Sequence, residues 1–187
     1  FNDIVKRYGW NIAETNYVIG NDPQDGKSTL FGVTERISGQ NLDKAPGVDD
    51  GLFEKIEEFY LSFVQHVVDS YKEDGLIWAD FRNEQIIYGT RPGEEEKKLY
   101  IVDVDPEVYT WTTNLSGKRL QNMSPEQIKV AQYYGYLKVV CDNMAILEFR
   151  AKRPFKKVHE ALKIAIHEGP KTNSLIAMEL AGDLPFF

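Results

Sequence analysis

Two acid-bearing turns carry the side chains best suited to chemistry. The first is Trp78-Ala79-Asp80-Phe81-Arg82-Asn83-Glu84-Gln85-Ile86-Ile87-Tyr88, which sets Asp80 and Gln85 five residues apart in a polar loop. The second is Leu99-Tyr100-Ile101-Val102-Asp103-Val104-Asp105, which sets Asp103 at the end of a short apolar strand. A single Asp in a loop is most simply a turn residue that bonds its own neighbouring backbone. Two such turns in series, with an amide at Gln85 and a further carboxylate at Asp105, form an order of oxygen donors of the kind that suits a hard divalent cation.

The surrounding elements must place these turns. Residues 16–19 and 29–36 read as two strands, and Asn21-Asp22-Pro23-Gln24-Asp25-Gly26 between them is rich in turn formers, which predicts a hairpin. Residues 38–41 break the second strand. Leu52, Ile56, Phe59, Tyr60, Phe63, Val67 and Tyr71 recur at helical spacing, with Asp49 or Asp50 to cap the start and Gly75 to end the helix. Residues 86–88 and 99–102 read as a second hairpin around an acidic-basic turn. Ser124-Pro125-Glu126-Gln127 is a capping box with Pro in the first turn, so a helix is expected from there to about residue 148. Further helices are expected at 154–167 and 174–181, and the first residues, up to Tyr8, read as a helix end. Strands clustered ahead of a helical second half make an α+β pattern.

In this order the residues resemble the large lobe of the protein-kinase-like superfamily, which includes protein kinases and aminoglycoside and choline phosphotransferases. Asp80-Phe81-Arg82-Asn83-Glu84-Gln85 is similar to the catalytic-loop pattern Asp-Leu-Lys-Pro-Glu-Asn. Asp103-Val104-Asp105 stands where Asp-Phe-Gly would stand. Thr34-Glu35-Arg36-Ile37-Ser38-Gly39-Gln40-Asn41-Leu42 resembles the hinge that receives adenine. The resemblance implies a mainly helical large lobe at 38–187 carrying the catalytic-loop and metal-loop hairpin, and a remnant of the small lobe with the hinge strands at 1–37. It implies a phosphotransferase that uses ATP and magnesium. Asp80 would take the proton of a hydroxyl acceptor, and Arg82 would sit near the transferred phosphate. Gln85, Asp103 and Asp105 would hold metal, and backbone groups of Glu35 and Ile37 would meet adenine. The chain departs from the pattern at Trp78-Ala79, Gln85 and Val104-Asp105, and no glycine-rich phosphate loop or strand lysine precedes the hinge. A segment upstream of Phe1 is therefore expected to complete the nucleotide site. The same departures favour an alternative, a pseudokinase acting as a binding or scaffold module. A third reading takes Asp103-Val104-Asp105 as the motif of a metal-dependent phosphohydrolase or glycosyltransferase, which would need a parallel, doubly wound sheet.

Composition limits the partners. The 187 residues suit one domain or one large lobe, and the net charge of −7 argues against a general nucleic-acid binder. One cysteine, Cys141, excludes an internal disulfide and a multi-cysteine metal site, and fits a reducing compartment such as the cytoplasm. No apolar run approaches the roughly 20 residues that span a bilayer. The basic cluster Arg150, Lys152, Arg153, Lys156 and Lys157 reads as a solvated face. Tyr133, Tyr134 and Tyr136 read as packing residues. His66, His159 and His167 have neither triad partners nor metal spacing and read as surface or helix-end residues. The acceptor's identity is not written in these motifs.

Overall fold

A computed structural model of the chain describes residues 2–45, 47–73, 75, 77–78, 81–102 and 123–171. The elements in order are α1 (Asn2–Tyr8), β1 (Asn11–Ile12), β2 (Thr15–Asn21), β3 (Ser28–Thr34), β4 (Ser38–Asn41), α2 (Asp50–Glu73), β5 (Ile86–Thr90), β6 (Lys98–Ile101), α3 (Pro125–Ala151) and α4 (Lys156–His167). This is the expected α+β architecture, with a helical body behind a small mixed sheet. The expected helix at 174–181 and the segment after Asp105 lie outside the described residues.

The long helix α2 organises the body. Asp49 Oδ1 accepts from the Leu52 N–H at 2.8 Å, and the Gly75 N–H closes on the Ser70 carbonyl at 3.0 Å. Ile56, Tyr60 and Phe63 have no exposed surface and Val67 has 1%. Fully burying side chains of this size contributes about 1.5–3 kcal/mol each. The facing helix α3 starts on Ser124, whose Oγ accepts from the Gln127 N–H while the Gln127 side chain accepts from the Ser124 N–H. It runs to Ala151, three residues past the expected end, and stops at Lys152 in the left-handed region (φ 55°). The face Val158, Leu162, Ala165 and Ile166 of α4 closes the same core.

The larger sheet has the order β1-β6-β5-β4. β5 pairs antiparallel with β6, β4 pairs antiparallel with β5, and two-residue β1 pairs parallel with β6. The hairpin expected at 86–88 and 99–102 is therefore present. The preceding strand ends at Thr34, and residues 38–41, expected to break it, form β4 themselves. Their closeness to β5 rests on a glycine pair, since a Cβ on Gly39 would collide with the Tyr88 carbonyl and one on Gly89 with the Ser38 carbonyl. Strand alternation sorts the side chains: Ile86, Leu99 and Ile101 join the helical core, while Tyr100 packs on the other face with Ala13 and Ile37.

β2 and β3 form a separate two-stranded ribbon, the expected first hairpin, with all seven residues of each strand in register. Residues ahead of that ribbon are tied to the helical body. Arg7 bonds Asp69 and Glu73 on α2, Tyr8 bonds Asp69, and the Trp10 indole N–H donates to Ser62 Oγ at 2.7 Å.

Candidate functional site

Phe81, which follows Asp80 in the chain, is fully buried and stacks on Phe63 with ring centroids 3.8 Å apart. Trp78, on the other side of Asp80, is also fully buried and meets Phe81 edge-on at 5.6 Å. Two large apolar anchors thus hold the chain on both sides of positions 79 and 80. Asp80 itself, with Asp103 and Asp105, lies outside the described residues.

Past Phe81 the chain makes a 3-10 turn over Asn83–Gln85, in which the Gln85 N–H donates to the Arg82 carbonyl at 2.9 Å. The turn is fixed from below by Asn83. That residue is 2% exposed. Its Oδ1 accepts from the Tyr60 hydroxyl at 2.6 Å, its N–H donates to Asn143 Oδ1 at 3.0 Å, and its Nδ2 donates to the Asn143 carbonyl at 2.9 Å. The Asn143 amide also donates to the Val139 carbonyl at 2.9 Å. One small polar node therefore locks the turn to α2 and α3 at once. Burial pushes the Tyr60 phenol well up, with the Asn83 hydrogen bond pulling the other way, so the hydroxyl stays a donor.

The turn is also fixed to the strand that leads to Asp103. The Val102 N–H donates to the Gln85 carbonyl at 3.0 Å. Asp103 is the next residue after Val102, one Cα step of about 3.8 Å away. Asn41, at the end of β4, donates its side-chain amide to the Glu84 carbonyl on the far side of the turn. Arg82 is half exposed, with Glu84 at 3.8 Å as a weak ion-pair partner. The expected basic contact at Arg82 is thus on the surface of the turn, and Gln85 is partly buried at its end.

On the hinge side, Glu35 is already committed. Its N–H donates to the Glu14 carbonyl at 2.7 Å, and its carboxylate takes the Arg91 Nε–H at 3.1 Å and the Glu14 N–H at 3.3 Å. Arg91 also donates to the Ile12 carbonyl at 2.7 Å and lies over the Tyr100 ring. Of the Glu35 backbone groups expected to meet adenine, the N–H is thus already used. Ile37 is buried against Ala13 and Tyr100, with Ile87 and Val102 packed beside them. The structure therefore brings Ile37 and the strand end before Asp103 into one apolar cluster. It brings Gln85 to that strand end by a backbone hydrogen bond.

His66 is a correction. The expectation of a surface or helix-end histidine fails, because its ring is 1% exposed. It lies three residues beyond Phe63 on the inward side of α2, edge-on to Tyr8, Trp10 and Phe63. Its Nε2 accepts the Trp78 N–H at 3.1 Å, so the other nitrogen, 3.2 Å from Ser70 Oγ, carries the proton. Burial lowers its pKa from the ordinary 6.5 to about 4. The neutral ring thus holds the backbone at Trp78. Helical spacing from Phe63 was the available signal for its burial.

Asn83 and Asn143 were also missed. Asn83 sits among turn-forming residues, and Asn143 is a polar residue inside a helix. The only hint was Tyr60, whose hydroxyl needs a partner once the apolar stripe is buried. The basic cluster is largely self-satisfied: Arg150 donates to the Leu42 carbonyl, Arg153 pairs with Asp50 over the Phe53 ring, and Lys157 pairs with Glu57. The three tyrosines are buried, as expected for packing residues. Among the described residues no three acidic, histidine or cysteine side chains gather as a metal cluster. No helix of the described residues is long and apolar enough to cross a membrane. No protein-family model, curated protein or solved structure matches the chain.

Proposed function

We propose that the chain is the catalytic body of a kinase-like phosphotransferase that moves the terminal phosphate of ATP to a hydroxyl acceptor. The observation that carries this reading is the 3.0 Å hydrogen bond from the Val102 N–H to the Gln85 carbonyl. It supports a common site for the turn that follows Asp80 and the strand that precedes Asp103. Phosphoryl transfer needs positioning and charge more than covalent help, and rigid flanks of this kind suit that need. The donor chemistry of Asp103, Asp105 and Gln85, all oxygen, fits magnesium. Bound there, the ion would offset the charge on the phosphate oxygens.

Asp80 orients the acceptor hydroxyl and takes its proton as the acceptor oxygen bonds to the terminal phosphorus. The bond from that phosphorus to the bridging oxygen breaks, and ADP leaves with the electron pair. Arg82, half exposed at the lip of the turn, offers its guanidinium to the moving phosphate. The Glu35 carbonyl and the Ile37 cluster meet the base. The sheet around β6 does not favour the phosphohydrolase or glycosyltransferase reading, because its long neighbour β5 is antiparallel and its parallel neighbour β1 has two residues.

The test is thermal denaturation of this chain with ATP, with and without magnesium, followed by transfer assays with labelled ATP. A tenfold excess of ligand over Kd adds about 1.4 kcal/mol of stability. That stabilisation should need magnesium and vanish in Asp103→Ala. Asp80→Ala should keep the stabilisation and lose transfer. Stabilisation without transfer by the intact chain would favour the pseudokinase reading. Stabilisation indifferent to Asp103→Ala would refute the nucleotide site.

A further inference from the structure

The β2–β3 ribbon exposes apolar side chains to an unusual degree. Among the described residues, five of the eight exposed large apolar side chains are on it: Tyr17 at 66%, Val18 at 47%, Ile19 at 77%, Leu30 at 63% and Val33 at 54%. By the register they divide between the two faces, Tyr17, Ile19 and Leu30 on one and Val18 and Val33 on the other, so neither face of the ribbon is packed against the helical body. The two strands form a sheet of their own, so among the described residues each has one unpaired edge. Natural edge strands are protected by charge, proline or a bulge. Thr15–Asn21 and Ser28–Thr34 contain no charged residue and no proline, and their seven paired positions run without a bulge. A two-stranded ribbon alone is marginal in water, and added strands stabilise it.

We infer that β2 is a dimerisation edge, where a second copy of the chain adds its own β2 in antiparallel register about a two-fold axis at Val18. The strand is its own complement in that arrangement. Val18 faces the partner's Val18, and Tyr17 stands opposite the partner's Ile19 twice over, an aromatic and β-branched pairing that favours antiparallel strands. No like charges oppose one another along the seven residues. The other edge is a poorer self-partner, because centring β3 on Phe31 sets Leu30 against the partner's Gly32. A single pair of strand edges is a small interface, which places the pair among weak dimers that form with concentration.

Sedimentation velocity of this chain from about 1 to 100 μM, the range in which weak dimers form, is the first measurement. The weight-average mass should rise from one chain toward two. Val18→Lys sets two ammonium groups against each other on the axis and should weaken association at least tenfold, with the far-ultraviolet circular dichroism unchanged. The register is tested by oxidative cross-linking, for which the single native cysteine, Cys141, is buried and does not interfere. Val18→Cys should give a disulfide-linked pair, whereas Leu30→Cys should give none. A single-chain mass at the highest concentration would overturn the inference. So would a dimer indifferent to Val18→Lys, or equal cross-linking through Leu30→Cys.

Discussion

The polar node beneath the 3-10 turn can be weighed by a double-mutant cycle between Tyr60 and Asn83. The phenol is fully buried and its hydroxyl has Asn83 Oδ1 as acceptor at 2.6 Å. Asn83→Ala removes that acceptor and strands the hydroxyl away from water, a loss of about 1–3 kcal/mol. It also removes the 2.9 Å donor to the Asn143 carbonyl, a smaller loss because that carbonyl, inside α3, keeps its helical N–H donor. The single change should therefore destabilise the chain by about 2 kcal/mol, within the range of ordinary point substitutions. Tyr60→Phe leaves the ring packed and strands only Asn83 Oδ1, so it should cost about 1–2 kcal/mol.

The double variant removes both members of the hydrogen bond, so neither is left stranded by the other. Its cost should fall short of the sum of the single costs by about 1–2 kcal/mol, the coupling expected of side chains in one buried network. Urea unfolding followed by tryptophan fluorescence gives all four stabilities. Costs that simply add, or a Tyr60→Phe variant as stable as the parent, would refute the claim that this node holds the turn. Since the node fixes the residues between Asp80 and Gln85, Asn83→Ala should also weaken stabilisation by magnesium and ATP where Tyr60→Phe leaves most of it.

Two further predictions concern titration and backbone strain. Burial holds His66 neutral with a pKa of about 4 against an unfolded 6.5, so between those values the unfolded chain binds the extra proton. Its contribution is fully present above pH 6.5 and declines as the pH falls toward 4. Between pH 7 and pH 5 it should amount to about 2 kcal/mol, at 1.36 kcal/mol per pH unit. Urea midpoints at the two pH values should show this drop, and His66→Phe should remove most of it; an unchanged drop would mean the ring is not the group responsible. Lys152 ends α3 with φ at 55°, where a side chain costs about 1–2 kcal/mol and glycine costs nothing comparable. Lys152→Gly should raise the melting temperature, offset only in part by glycine's greater freedom in the unfolded chain, and a fall would show that the lysine makes a contact worth more than the strain.

What the sequence could reveal depended on how far each feature is settled by neighbours along the chain. The stripe from Leu52 to Tyr71 and the Ser124 capping box are local, so α2 and the start of α3 were legible from spacing alone. The end of α3 was not, because the residues past Glu148 are held by distant groups: Glu148 accepts the Phe155 N–H, and Arg150 reaches the Leu42 carbonyl. β4 was illegible for a related reason. Ser38-Gly39-Gln40-Asn41 has no apolar period and low strand propensity, and it becomes a strand only because Gly39 can lie against Gly89 on β5. The same division runs through the candidate site. The acids and the amide were visible as residue types, whereas the groups that hold their loop, Asn83, Asn143 and His66, are polar side chains inside a core whose partners lie 12 to 60 residues away. A buried polar residue earns its place through a long-range partner, and a pattern read along one chain has no signal for that partner. The candidate chemistry is therefore written in local motifs, while the rigidity it requires is written in contacts between α2, α3 and the turn, and the Tyr60–Asn83 cycle measures that second part directly.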